Sequence, residues 1–299
     1  MIDVLIIGSG PAGLTAAIYA KRANLSVTVL EKEYEGTGQI AESGRVDNYP
    51  GYFGISGYEL GENFRMHAEK LEIPMIEGEA VRYEKKETGF LVTLEDGSSM
   101  EAKTIIYAAG ASHRKLDVLG SDALEGKGIS YCASCDGAFY QGKDAAVIGG
   151  GDSALDDALL LSEICNKVYV IHRRDAFRGA AGTLALLEKK ENVEIIRSAT
   201  VKELRGEKKL EQIVLNTDRV LDVQGAFVAI GMIPRTEALK DFVLLNEQGY
   251  IKAGEDGKTS LEGFFVAGDV REKELRQVIT AAADGANAAF SAIHYLLEQ

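Results

Sequence analysis

The chain has 299 residues, enough for about two domains, and its 46% hydrophobic content is that of an ordinary globular protein. With 33 Lys and Arg against 46 Asp and Glu, the net charge of −13 argues against nucleic acid or an anionic membrane as a partner. No stretch approaches the ~18 apolar residues of a membrane span, and the opening MIDVLIIGSG lacks the basic start of a signal peptide.

The first predicted elements lie in residues 3–33, DVLIIGSGPAGLTAAIYAKRANLSVTVLEKE: an apolar strand, a glycine turn, an amphipathic helix and a second apolar strand. Gly8 permits the tight turn, Gly10 lets backbone amides close on a pyrophosphate, and Gly13 lets helix and strand pack closely. The helix amino-terminus adds a favourable partial charge for the phosphates. Glu31 falls 31 − 8 = 23 residues after Gly8, at the end of the second strand and near the ~20 expected for a carboxylate on a ribose 2′-hydroxyl.

Residues 129–139, ISYCASCDGAF, hold Cys132 and Cys135; Cys165 is the third cysteine. A C-x-x-C pair can be half a zinc site, a structural disulfide or a redox catalyst. An odd count with one close pair fits a reducing, cytoplasmic setting better than a secreted framework.

Residues 144–175, DAAVIGGGDSALDDALLLSEICNKVYVIHRRD, repeat the first pattern, with Gly149, Gly151 and Ala154 in the three structural roles. One such motif is weak evidence, whereas two framed by strand, helix and strand predict a double dinucleotide binder. At the position equivalent to Glu31 stands His172, followed by Arg173, Arg174 and Arg178. A carboxylate there would repel a 2′-phosphate, and arginines hold one by charge-assisted bonds. The first unit therefore reads as an FAD or NAD site and the second as an NADPH site. Near the carboxyl end, GFFVAGDV (263–270) predicts a strand ending in Gly268 and Asp269, followed by a helix from about 277 to 297.

Taken together, GSGPAG, GQI…VDNYPG, CASCDG, GGGDSALDDA, HRRDAFR, AIGMIPRT and GDVREKELRQVITAAADG resemble the low-molecular-weight, bacterial-type thioredoxin reductases from end to end. The resemblance implies an α/β chain of two Rossmann-like dinucleotide-binding domains of the two-dinucleotide-binding flavoprotein type, the second inserted in the first. The FAD domain would comprise residues 1–114 and 241–299, and the NADPH domain residues 115–240 with the cysteines. FAD would be held by Gly8, Gly10, Pro11, Ala12, Gly13, Glu31, Gln39, Asn48, Gly110, Gly268, Asp269, Arg276, Gln277 and Val278. NADPH would be held by Gly149, Gly151, Asp152, Ser153, Ala154, His172, Arg173, Arg174 and Arg178. A homodimer and thioredoxin, or a thioredoxin-like small protein, as partner are also implied.

Zinc would need two further ligands, and His67, His113, His172 and His294 are scattered without ligand spacing, so no metal is expected. A structural disulfide would close too short a loop to constrain the unfolded chain much. The redox reading accounts for more, with Asp136 available to exchange a proton with a leaving thiolate. The resemblance divides the thiols, Cys135 towards flavin and Cys132 towards the protein substrate, and implies a rotation of one domain against the other. Ferredoxin-driven relatives lose the second glycine motif, and ferredoxin–NADP reductases of this superfamily lack the cysteines; both features are present here. A flavin-dependent redox sensor would have no need of the second nucleotide site. Departures from the family pattern are Thr37, Ala109, Arg235 and Ala138, the last where many relatives carry an aromatic residue ahead of Phe139.

Overall fold

The first strand, Ile2–Ile7, is apolar apart from Asp3 and its last four residues are buried, as a parallel strand covered on both faces must be. Its alternating side chains serve two cores. Val4 and Ile6 join an alanine-rich layer with the helices Pro11–Arg22 and Val278–Leu297, while Leu5 and Ile7 meet the aromatic set Tyr83, Phe90, Tyr107 and Phe264. Small residues let these two helices approach closely: a Cβ on Gly285 would overlap the carbonyl oxygen of Ala12.

The computed structural model describes residues 1–33 and 36–299. These form two compact units, Met1–Ser112 with Ile233–Gln299, and His113–Met232. The expected second boundary near 240 differs from the observed one for a local reason. The Tyr107 hydroxyl donates to the Arg235 carbonyl at 2.6 Å and the Arg235 N–H to the Gly110 carbonyl at 3.1 Å, which ties this segment to the first unit.

In the first unit, Met75–Glu77, Val27–Glu31, Ile2–Ile7 and Ser99–Tyr107 lie side by side as parallel neighbours. Ser99–Tyr107 serves two partners on its other edge. Its amino-terminal half pairs antiparallel with Gly89–Leu94, which pairs in turn with Ala80–Lys86, and its carboxyl-terminal half pairs parallel with Phe264–Val266. In the second unit a parallel sheet runs Val193–Ile196, Lys167–Ile171, Asp144–Gly149, Gly225–Ala229 and Ile129–Ser130. A separate antiparallel meander, Val201–Arg205, Gln212–Leu215 and Val220–Asp222, covers one of its faces. Each unit thus builds a strand–helix–strand core with its glycine turn at the carboxyl ends of parallel strands, where open α/β sheets bind ligands. Among the described residues no helix is long and apolar enough to cross a membrane.

Candidate active site

In the first unit the three glycines do different work. Gly8 has φ +103°, and a Cβ there would strike the Ala108 carbonyl. A Cβ on Gly13 would overlap the Gly8 carbonyl oxygen, so strand and helix meet only without one. Gly10 is different: the nearest protein atoms to its Cβ position are 3.9 Å away, leaving room over the turn for a ligand. Gly10 caps the helix and Pro11 opens it, where a missing N–H costs nothing. The Glu31 carboxylate accepts the Ser9 backbone N–H at 2.7 Å and the Ser9 hydroxyl at 2.6 Å, which ties the second strand to the glycine turn.

Asn48 Nδ2 donates to Gln277 Oε1 at 2.9 Å, joining residues from opposite ends of the chain. Gln277 also forms a capping box with Thr280 at the start of Val278–Leu297. Val278 packs with Ile40, Val46 and Leu60, next to Gln39 in the turn Gln39–Glu42. Asn48 lines an open recess of about 440 Å³ formed by residues 47–53. Gly268, with φ +78°, approaches Ala12 so closely that its own Cβ would crowd the Ala12 Cβ at 2.8 Å. Asp269 beside it is partly buried, and its Oδ1, with Lys273 Nζ 4.0 Å away, is the one buried side-chain oxygen or nitrogen among the described residues without a hydrogen bond. Burial pushes its carboxyl up, partly countered by Lys273 and Arg276. Arg276 lies over the Tyr250 ring at 4.2 Å, and Gly110 turns with φ +71°.

In the second unit a Cβ on Gly149 would strike the Ala229 carbonyl oxygen and the Ala154 Cβ, whereas a Cβ on Gly151 would meet nothing within 4 Å. The turn therefore repeats the first one, packed at its flanks and open at its middle glycine. Asp152 begins the helix Asp152–Ser162 and its Oδ1 accepts the Ala180 N–H at 2.7 Å. Ser153 is exposed next to it. The Arg178 N–H reaches the Gly150 carbonyl at 2.8 Å, so the arginine segment folds back over the glycine turn.

His172 is placed unlike its neighbours. Its ring is buried against Gly150, bonded through Nε2 to the Ala176 carbonyl at 3.1 Å and packed on Phe177 at 4.6 Å. Arg173, Arg174 and Arg178 are exposed, and among the described residues none of them is in an ion pair. In a chain with an excess of carboxylates, three arginines outside any ion pair concentrate positive charge next to this glycine turn.

Cys132 and Cys135 form a disulfide at the start of the short helix Ala133–Asp136, and both are partly buried. The Cys135 N–H donates to Cys132 Sγ at 3.2 Å, and the Ser134 hydroxyl lies 3.4 Å from the same sulfur. Burial pushes the Asp136 carboxyl up, and a hydrogen bond from Ser130 at 2.6 Å acts against that. Ala138 and Phe139 are exposed on the following turn. Cys165 is a free cysteine buried in the core with Leu161 and Val168.

The family model for pyridine nucleotide-disulphide oxidoreductases matches residues 2–285. The chain belongs to this family. Thioredoxin reductase of Bacillus subtilis (strain 168) is 40% identical over 303 residues, spanning 99% of this chain and 95% of that protein. Among solved structures, thioredoxin reductase from Streptococcus pyogenes MGAS5005 is 40% identical with a TM-score of 0.92, covering 100% of this chain and 99% of that one. Lactococcus lactis thioredoxin reductase in its FR conformation is 36% identical with a TM-score of 0.69, covering 100% of both chains.

As a family member the chain is an oxidoreductase, and several residues that shape its candidate site are not among the site residues expected from the sequence. Gly179 lies so close to Gly151 and Asp152 that a Cβ would crowd their backbone, and Gly150 must be glycine because the His172 ring occupies its Cβ position. Asp284 holds the Gly268 N–H at 3.1 Å together with Arg271 and Lys273. Of the departures from the family pattern, Thr37 is buried against Gly61, Ala109 packs on the aromatic core, and Arg235 contributes its backbone rather than its side chain to the fold.

Proposed function

We propose that this chain is an NADPH-dependent, FAD-containing thioredoxin-disulfide reductase. The observation that carries the reading is the Cys132–Cys135 disulfide next to the partly buried Asp136, in the same unit as the open Gly151 turn and its three unpaired arginines. The residues of the first unit fit FAD. The space over Gly10 suits a pyrophosphate at a helix amino-terminus, and Asp269 Oδ1, buried without a hydrogen bond, is an acceptor that a cofactor hydroxyl would satisfy. Glu31, Asn48, Gly110, Arg276 and Gln277 complete that set. In the second unit Gly149, Gly151, Asp152, Ser153 and Ala154 would cradle the NADPH pyrophosphate, with Arg173, Arg174 and Arg178 on the 2′-phosphate. His172 would support the turn from beneath.

FAD, when bound, would take a hydride from NADPH and pass the electron pair on to the disulfide. The chain's own residues then do the thiol chemistry. Cys132 thiolate attacks the partner's disulfide, forming a mixed disulfide and releasing one partner thiolate. Cys135 thiolate attacks Cys132 Sγ, restoring the internal disulfide and releasing the second thiolate. Asp136, whose carboxyl is pushed up by burial, supplies a proton to a leaving thiolate. Both the Gly151 turn and the disulfide belong to the unit His113–Met232, so presenting each in turn to a flavin held by the other unit requires rotation of one unit.

The exposed Phe139 is the apolar anchor for thioredoxin or a thioredoxin-like protein, and Ala138 makes that anchor smaller. Assembly as a homodimer in the cytoplasm belongs to the same reading. The test is NADPH-driven reduction of a thioredoxin disulfide, with NADH in parallel. Turnover that needs thioredoxin and both cysteines supports the reading; NADPH oxidation without turnover on any thioredoxin overturns it. A covalent cross-link between the two units is expected to abolish turnover.

A further inference from the structure

Ser130 ends the strand Ile129–Ser130 and is only 5% exposed, yet it belongs to no nucleotide motif. Its hydroxyl oxygen lies 2.6 Å from Asp136 Oδ2, accepts the Cys132 N–H at 3.1 Å, and lies 3.4 Å from the Cys132 carbonyl oxygen. A serine hydroxyl has one proton to donate and lone pairs with which to accept. When Asp136 is ionised, that proton goes to Oδ2. When Asp136 is protonated, the carboxyl donates to the serine oxygen and the hydroxyl proton turns to the Cys132 carbonyl. Both states keep a hydrogen bond with little movement of any heavy atom. Because the same oxygen accepts the Cys132 N–H, the carboxyl and the first cysteine share one anchor.

We propose that Ser130 is a positioning residue for Asp136, holding its carboxyl beside the Cys132–Cys135 pair in both protonation states and setting the pH range over which it exchanges a proton. The inference rests on the reading of Asp136 as the proton donor to a leaving thiolate. The step it serves is attack of Cys135 thiolate on Cys132 Sγ. The bond from Cys132 to the partner's sulfur breaks, the pair is oxidised to a disulfide, and the departing partner thiolate takes the Asp136 proton.

Other titrating groups lie on the neighbouring segments and on the helix packed against the cysteine helix. Tyr140 follows on the next turn, with its phenol pushed up by burial and by Asp136. Tyr131 precedes the pair and stacks on His113 at 5.0 Å, and burial holds the His113 imidazole down. The helix Asp152–Ser162, packed against the cysteine helix, carries Asp156 and the partly buried Asp157. Removing the Ser130 hydroxyl takes away the donor that favours the ionised carboxylate, so the Asp136 limb of a pH profile moves to higher pH.

The experiment is the pH dependence of single-turnover transfer from the reduced holoenzyme to a bacterial thioredoxin disulfide, normalised to flavin content. The wild type is compared with Ser130→Ala, Ser130→Gly, Ser130→Thr and Asp136→Asn. Asp136→Asn removes the limb. Ser130→Ala and Ser130→Gly raise it by about one pH unit, the scale of one hydrogen bond to a charged acceptor, and Ser130→Thr restores it. If Asp136→Asn removes the limb but the Ala and Gly variants leave it in place, Ser130 is overturned and the role of Asp136 stands. A uniform loss of rate at every pH in those variants overturns Ser130 equally. If Asp136→Asn leaves the profile unchanged, the reading of Asp136 itself is lost.

Discussion

Replacing Gly151 by alanine separates what the second glycine turn does for the fold from what it does for a ligand. Gly151 has φ −95° and ψ −178°, an extended conformation open to any L-residue, and its added Cβ would meet no protein atom within 4 Å. The methyl therefore overlaps nothing in the folded state, and the lost freedom of the unfolded chain, about 0.4–1 kcal/mol, offsets the poorer N-capping of alanine, so Tm is expected to stay within about 2 °C of wild type. The same methyl group would fill the space assigned to the pyrophosphate, and the KM for NADPH is expected to rise at least ~10-fold, equivalent to about 1.4 kcal/mol of lost binding. Gly149→Ala is the control. Its Cβ would strike the Ala229 carbonyl oxygen and the Ala154 Cβ, so overpacking lowers stability by about 1–3 kcal/mol. Thermal unfolding of both variants and NADPH titration of thioredoxin reduction read the two effects separately. An unchanged KM in Gly151→Ala would show that the open face of the turn is not where the pyrophosphate lies, and a loss of Tm beyond that range would refute the backbone argument.

Three further outcomes are expected. Alanine at both Arg173 and Arg174 should raise the KM for NADPH by about 10–100-fold while leaving that for NADH nearly unchanged, since only the former carries a 2′-phosphate to pair with them. Burial and the neighbouring Asp156 push Asp157 up to about 6 from the ordinary value of 3.8, so its ionisation opposes folding. Its contribution is neutral below the unfolded value and becomes a cost as pH rises from about 4 to above 6. Asp157→Asn should therefore be more stable than wild type at pH 8, by up to about 3 kcal/mol, and no more stable at pH 4, as urea unfolding at the two pH values would show. Asp284→Ala leaves Arg271 buried without its carboxylate, leaves Lys273 only Asp269 at 4.0 Å, and releases the Gly268 N–H. A loss of about 3–5 kcal/mol in unfolding free energy is expected, with weaker FAD retention, measured by flavin released on dilution.

Much of this protein is written locally. Each glycine turn, its flanking apolar strands and its helix fall within about thirty residues, and the alternation that sends Val4 and Ile6 to one face and Leu5 and Ile7 to the other is visible in Ile2–Ile7 itself. The Cys132–Cys135 spacing likewise limits the pair to a few chemistries before any contact is known. What only the tertiary structure decided are relations between residues distant in sequence, or between residues whose type allows several partners. The burial of His172 beneath Gly150, the bond between Asn48 and Gln277, and the unmet oxygen of Asp269 beside an Asp284 network depend on which strands are neighbours. Ser130 lies six residues from Asp136, yet a serine before a cysteine has no fixed partner in a sequence. A backbone pattern repeats because every residue in it obeys the same geometry, whereas a side-chain hydrogen bond exists only where folding has brought one particular donor to one particular acceptor.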